Sequence, residues 1–173
     1  MRKELDEKLV KDFPNLYCDR YGDIRYSAMP WGFEVGDGWE PLIREASEKI
    51  EKEIVELKQK YPDTEYPLRA SQVKEKLAGL RIYMSGSTDT INEAIHEACK
   101  KSWVTCEDCG KPGKRRDAGW LYTRCDECWE ELKKHFGYKE PGIFSKFWDW
   151  VIYCVVDEFW WRVKELFSKI RGN

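Results

Sequence analysis

The plainest chemistry in this sequence belongs to four cysteines in two Cys-x-x-Cys pairs, Cys106-Glu-Asp-Cys109 followed by Gly110, and Cys125-Asp-Glu-Cys128. Fifteen residues, Gly110 to Arg124, separate the pairs. This is the spacing of four-thiolate structural zinc modules, in which each pair forms a tight knuckle. Four ligands close a tetrahedral shell, so the expected Zn²⁺ organises the fold and leaves no position for an activated water. Two disulfides or a redox dithiol are the competing readings. Zinc is favoured because no signal peptide precedes the chain and neither pair reads as the strand-then-helix setting of a thioredoxin motif.

The elements that must position these thiols come next. Gly110, Pro112-Gly113 and Gly119 punctuate the insert, which predicts a short β-hairpin with Trp120-Leu-Tyr-Thr123 as its return strand. Its tip offers Lys111, Lys114, Arg115 and Arg116 to a phosphate backbone, with Trp120 or Tyr122 as a stacking surface. Glu107, Asp108, Asp117, Asp126 and Glu127 balance the cations of the module. With four thiolates and Zn²⁺ added the module is net negative, so nucleic acid is the less favoured partner. Before the first pair, Thr90-Ile-Asn-Glu93 has capping-box order and predicts a helix to about Ser102, with Ile91, Ile95 and Ala98 inward. After the second, a short helix from Trp129 to about Phe136 is broken by Gly137 and Pro141-Gly142.

At 173 residues the chain is long enough to bury a core of its own, so zinc supplements that core. Net charge is −2 with both signs mixed along the whole length, which weighs against a general nucleic-acid binder. Of seven cysteines, Cys18, Cys99 and Cys154 lie outside the zinc pattern, an odd set that fits a reducing, cytoplasmic compartment.

Upstream, residues 2–12 place Leu5, Leu9 and Val10 at helical spacing. Residues 19–38 are rich in Gly and aromatics and predict an ordered loop with a short strand. Trp31 and Trp39 there pack into the core or line a pocket. Asp37-Gly-Trp-Glu40 has capping-box order ahead of Pro41, and Ile43, Ala46, Ile50, Ile54, Leu57 and Tyr61 define the clearest helix of the chain. Its other face carries Glu45/Lys49, Glu48/Lys52 and Glu56/Lys60, read as a solvated face with pairs worth roughly 0.2–0.5 kcal/mol each. Leu80-Arg-Ile-Tyr-Met84 alternates as a strand, and the preceding stretch from Leu68 is read as its hairpin partner with the turn near Ala78-Gly79. An enzyme or small-ligand pocket would draw on Asp37, Trp39, Lys74 and His96, although no nucleophile–base pair is visible.

The last thirty residues predict a long helix whose stripe, Trp148, Ile152, Val155, Phe159, Val163, Leu166 and Ile170, is accompanied by a second apolar side with Phe147, Trp150, Val151, Cys154 and Trp161. That second side is the expected surface for self-association or for a host protein. A transmembrane span is excluded because Lys146, Asp149, Asp157 and Glu158, at up to ~3 kcal/mol each, outweigh the apolar residues around them.

Three blocks carry a resemblance: Trp31-Gly-Phe-Glu-Val-Gly-Asp-Gly-Trp39, Gln72-Val-Lys-Glu-Lys-Leu-Ala-Gly-Leu-Arg-Ile-Tyr83, and Cys106-Glu-Asp-Cys109-Gly-Lys-Pro-Gly113 with Gly119-Trp120 through Cys125. Together they resemble a family of small phage and prophage proteins of unassigned function over roughly residues 10–130. The chain departs from that pattern with Val35 in place of a Cys and Leu77-Ala78 in place of Phe-Gly. The resemblance implies a phage context and contributes no mechanism. The expected fold is α+β: amphipathic helices with a small antiparallel β-hairpin or sheet, a four-Cys zinc ribbon, and a long aromatic C-terminal helix. Its expected parts are residues 1–104, the zinc module 105–136 and the helix 137–173. The expected function is that of a phage-type accessory protein that acts by binding, engaging or inhibiting a host protein such as a defence factor, with a nucleic-acid-binding zinc ribbon and a small-ligand (nucleotide) binding protein or enzyme as alternatives.

Overall fold

The structure is a computed structural model that describes residues 1–63 and 67–137. The expected C-terminal helix, with Phe147, Trp150, Val151, Cys154 and Trp161, lies outside the described residues.

Helical periodicity sets the frame. Helix α1 covers Lys3–Asp12 and buries Leu9. Helix α2 covers Glu40–Lys60 and turns Ile43, Ala46, Ile50 and Ile54 into the core. Its start differs from the capping-box reading: Asp37–Trp39 form a separate 3₁₀ turn, and no side chain caps the helix. The Asp37 carboxylate instead accepts from the backbone N–H of Arg2 at 2.7 Å and pairs with its guanidinium.

Strand β1 is the short Phe33–Glu34. Strands β2, Ala70–Lys76, and β3, Gly79–Met84, form an antiparallel hairpin, so the stretch from Ala70 is strand. The sheet is mixed and not purely antiparallel, because β1 lies parallel to β2 in the order β1-β2-β3. Val73, Leu80 and Ile82 face the core, while Lys74, Arg81 and Tyr83 alternate onto the other face. The two residues between the strands, Leu77 and Ala78, have φ of 55° and 63°. That is the backbone of a tight two-residue hairpin turn that normally selects Asn-Gly.

Helix α3, Asp89–Ser102, is capped by Thr88, whose hydroxyl accepts from Ile91 N–H, so the cap stands two residues before the expected Thr90. It packs along α2 and buries Ile91, Ala94 and Ala98. The charged flank of α2 is therefore not simply solvated: Lys49 pairs with Glu97, and Lys101 with Glu45 at 2.6 Å, across the two helices. Strands β4, Lys114–Asp117, and β5, Leu121–Arg124, form the second hairpin, and α4 covers Asp126–Phe136. No helix among the described residues is long and apolar enough to cross a membrane.

The loop between α1 and α2 is held by a buried ion pair. Asp6, 6% exposed, accepts from Arg20 at 2.8 and 3.1 Å, and Arg20 also donates to the Pro30 carbonyl at 3.0 Å. The same carboxylate accepts the Phe33 N–H at 3.3 Å, which joins helix, loop and sheet at one group. Gly32 passes beside it at φ 86°, where a Cβ would stand 2.7 Å from the carboxylate oxygen. Removing one partner of such a pair strands the other charge in the interior. Asp6→Ala is expected to lower unfolding free energy in urea by about 3 kcal/mol, whereas exposed Lys3→Ala changes it by less than about 0.5.

Candidate metal centre

Each cysteine pair is held by a different kind of element. Cys106 follows α3 after a short turn, and its N–H donates to the Lys111 carbonyl at 2.8 Å while its carbonyl accepts from Gly110 N–H at 2.9 Å. Gly110, at φ 75°, closes this knuckle. The second pair is not a knuckle. Strand β5 runs into Cys125, which is the N-cap of α4, with its Sγ accepting from the Cys128 N–H at 3.4 Å. Cys125 and Cys128 thus occupy the strand-then-helix setting that the sequence reading excluded. The first turn of a helix offers unpaired N–H donors and a positive dipole end, both of which favour thiolates.

All four ligand sulfurs lie within 4.8 Å of one another. The Cys109 and Cys125 sulfurs are 3.6 Å apart. Tetrahedral metal–sulfur arms of about 2.3 Å give sulfur–sulfur edges of about 3.8 Å, whereas a disulfide needs about 2.05 Å. The cluster therefore has the dimensions to hold a metal ion, and the six described cysteines are all free.

The Cys128 N–H holds the Cys125 thiol down to about 7, while burial pushes the Cys109 and Cys128 thiols up. Four thiolates this close repel one another, and a dication at their centre removes that cost.

The centre is built into the rest of the fold through backbone. Gly38 N–H donates to the Glu107 carbonyl at 2.7 Å, Gly36 N–H to the Glu107 carboxylate at 3.0 Å, and the Trp39 indole N–H to the Thr105 carbonyl at 2.8 Å. A Cβ on Gly38 would stand 2.7 Å from the Cys109 nitrogen and would overlap the Cys106 carbonyl and the Gly110 nitrogen. On the other side, Thr123 of β5 is 1% exposed; its hydroxyl donates to the Ala78 carbonyl at 2.6 Å, and its carbonyl accepts from Glu107 N–H at 2.9 Å. Burial pushes the Glu107 carboxyl above its usual range, against the lowering effect of the Gly36 N–H.

Three stretches singled out in sequence thus meet at one place: the Gly-rich segment, the β2–β3 turn and the cysteine knuckle. The Gly-rich segment seats the knuckle. Trp39 is fully buried there, whereas Trp31 is 70% exposed. The roles of Glu107 and Thr123 were not read from sequence, where the Gly-rich segment was read as an ordered loop that packs its Trp residues or lines a pocket.

The remaining sequence candidates are dispersed. Asp37 is paired with Arg2, Lys74 lies on the outer face of the sheet over the Tyr83 ring, and His96 sits on the exposed side of α3. Asp37 shares a 3₁₀ turn with buried Trp39, and the four residues lie on three separate elements. At the hairpin, Lys111 pairs with Glu127, Lys114 with Asp126 at 3.1 Å, and Arg116 with Asp126 while stacking over Trp129. Arg115 lies half-buried in β4 opposite Thr123.

Fold and site define an α+β protein in which one knuckle and one helix N-terminus bring four cysteines together in a cluster that could hold a metal ion. No family model, curated protein or solved structure matches the chain.

Two outcomes follow from the seating. Gly38→Ala is expected to keep the helices but lose protection of the Gly110 amide in hydrogen exchange and release metal to a chelator faster than wild type. Leu77→Asn, at a position 60% exposed with φ 55°, is expected to raise unfolding free energy by roughly 0.5–1 kcal/mol in denaturant titration.

Proposed function

We propose that the chain is a zinc-stabilised accessory protein that acts by binding a partner protein. The observation that carries this reading is that the four cysteines close around one point while the Gly36–Trp39 backbone packs against their knuckle. A metal so enclosed has four protein ligands and a structural seat, which is the pattern of a fold-organising ion. Zn²⁺ suits four thiolates because it is redox-inert and accepts tetrahedral geometry without electronic preference. Cys106, Cys109, Cys125 and Cys128 would hold it, and thiolates in this number favour a reducing cytoplasm.

The partner surface is assigned to Phe147, Trp150, Val151, Cys154 and Trp161, whose helical spacing in the sequence sets them apart as a second apolar side of the C-terminal segment. The resemblance to small phage proteins makes a host defence protein the preferred partner, with self-association as the other use of that side.

Metal analysis of protein purified without added zinc is expected to return one equivalent, and Cys106→Ser to lose it together with the β4–β5 hairpin, since binding and local folding are one equilibrium. In sedimentation with a candidate host protein, Trp150→Glu with Trp161→Glu is expected to abolish association and keep the zinc. A wild-type chain that stays monomeric and free of partners, with a double variant that unfolds, overturns the reading.

A further inference from the structure

The outer face of the three-stranded sheet carries more cations, Lys74, Lys76 and Arg81, than carboxylates, with Glu34 in register beside Lys74, among the described residues. Lys74 of β2 is the direct cross-strand partner of Arg81 of β3, and Lys76 follows on the same side of β2. Like charges placed opposite each other destabilise a strand pair. Arginines elsewhere, Arg20, Arg44 and Arg124 among them, sit in ion pairs with carboxylates. Among the described residues Lys74, Lys76 and Arg81 make no ion pair: Arg81 donates to the Leu80 carbonyl at 2.9 Å, and the Lys74 ammonium lies over the Tyr83 ring at 5.7 Å. Glu34, beside Lys74 on β1, accepts from the Gln72 amide at 2.8 Å instead. The Tyr83 ring is 39% exposed, and Trp31, exposed as well, stands just before β1.

We infer that this sheet face binds single-stranded nucleic acid, with Lys74, Lys76 and Arg81 on phosphates and Tyr83 as a base-stacking platform. A partly exposed aromatic ring beside cations that make no ion pair matches the two features every single strand offers, a charged backbone and bases with flat π-faces. An acidic protein segment would meet the cations but has no use for the ring. The site is separate from the β4–β5 hairpin, where Lys111, Lys114 and Arg116 are engaged by Glu127 and Asp126. Its residues are also distinct from those of the partner surface proposed above.

The test is fluorescence anisotropy of a labelled single-stranded oligonucleotide with the zinc-loaded full-length chain across a salt series. Three phosphate contacts give an expected slope of log K against log salt of about −2. Lys74→Glu with Lys76→Glu is expected to reduce that slope to about −0.7 or remove binding, and Tyr83→Ala to weaken binding about tenfold at constant slope. Lys111→Glu with Lys114→Glu should leave the titration unchanged, and zinc content with far-UV circular dichroism checks that each variant is folded. Absence of binding at ~50 mM salt overturns the inference. So does a titration that the hairpin variant abolishes and the sheet variant does not, or one that polyglutamate suppresses as well as unlabelled oligonucleotide while Tyr83→Ala has no effect.

Discussion

The rest of this structure depends on one close approach of backbone to backbone, the packing of Gly36–Gly38 against the Cys106–Gly110 knuckle. At this contact the N–H groups of Gly36 and Gly38 would be buried without water, and both find their partner across the gap in Glu107, while the knuckle pairs its own Cys106 and Gly110 groups internally. The approach is possible because the segment presents hydrogen where any other residue would present a methyl group. The cysteine cluster and the start of α2 are therefore not merely neighbouring features. They share one set of hydrogen bonds, and displacement of either leaves buried polar groups unpaired.

Thr123 extends the same logic to the sheet. Its hydroxyl reaches the Ala78 carbonyl, which the turn can present only because Leu77 and Ala78 adopt left-handed backbone. The turn is stabilised from inside as well, by Glu75 accepting the Ala78 N–H at 2.6 Å. A strained turn of L-residues persists where the surroundings over-determine it, and here they do so from three directions, since the Trp103 indole also lies against Gly79.

Electrostatics divides the surface into neutralised and unneutralised regions. The α2–α3 flank and the β4–β5 hairpin are rich in charge yet laced with ion pairs, each worth little when exposed. Asp6 and Arg20 differ because they are enclosed, and three elements draw on their hydrogen bonds. The hairpin illustrates why counting cations in sequence misleads: Asp126 lies in the first turn of α4, where helix geometry brings it to Lys114 and Arg116.

What the sequence determined by itself was local. The Cys-x-x-Cys spacing marked the four thiols, the three- and four-residue steps from Ile43 to Ile54 marked α2, and alternation from Leu80 to Met84 marked β3 with its hairpin partner. These patterns are legible because period and spacing are properties of a single segment. Tertiary structure decided the rest. Capping at Thr88 and the 3₁₀ turn at Asp37 turned on competition among several eligible side chains, one of which was claimed by Arg2. The second cysteine pair became a helix N-terminus, because Cys125 could cap α4 with its own sulfur. The Gly-rich segment became the seat of the knuckle through bonds to Glu107, 71 residues away from Gly36, and no local pattern encodes a partner at that distance. The same glycines would serve a ligand pocket or a protein contact equally well; only packing settles which backbone they let approach.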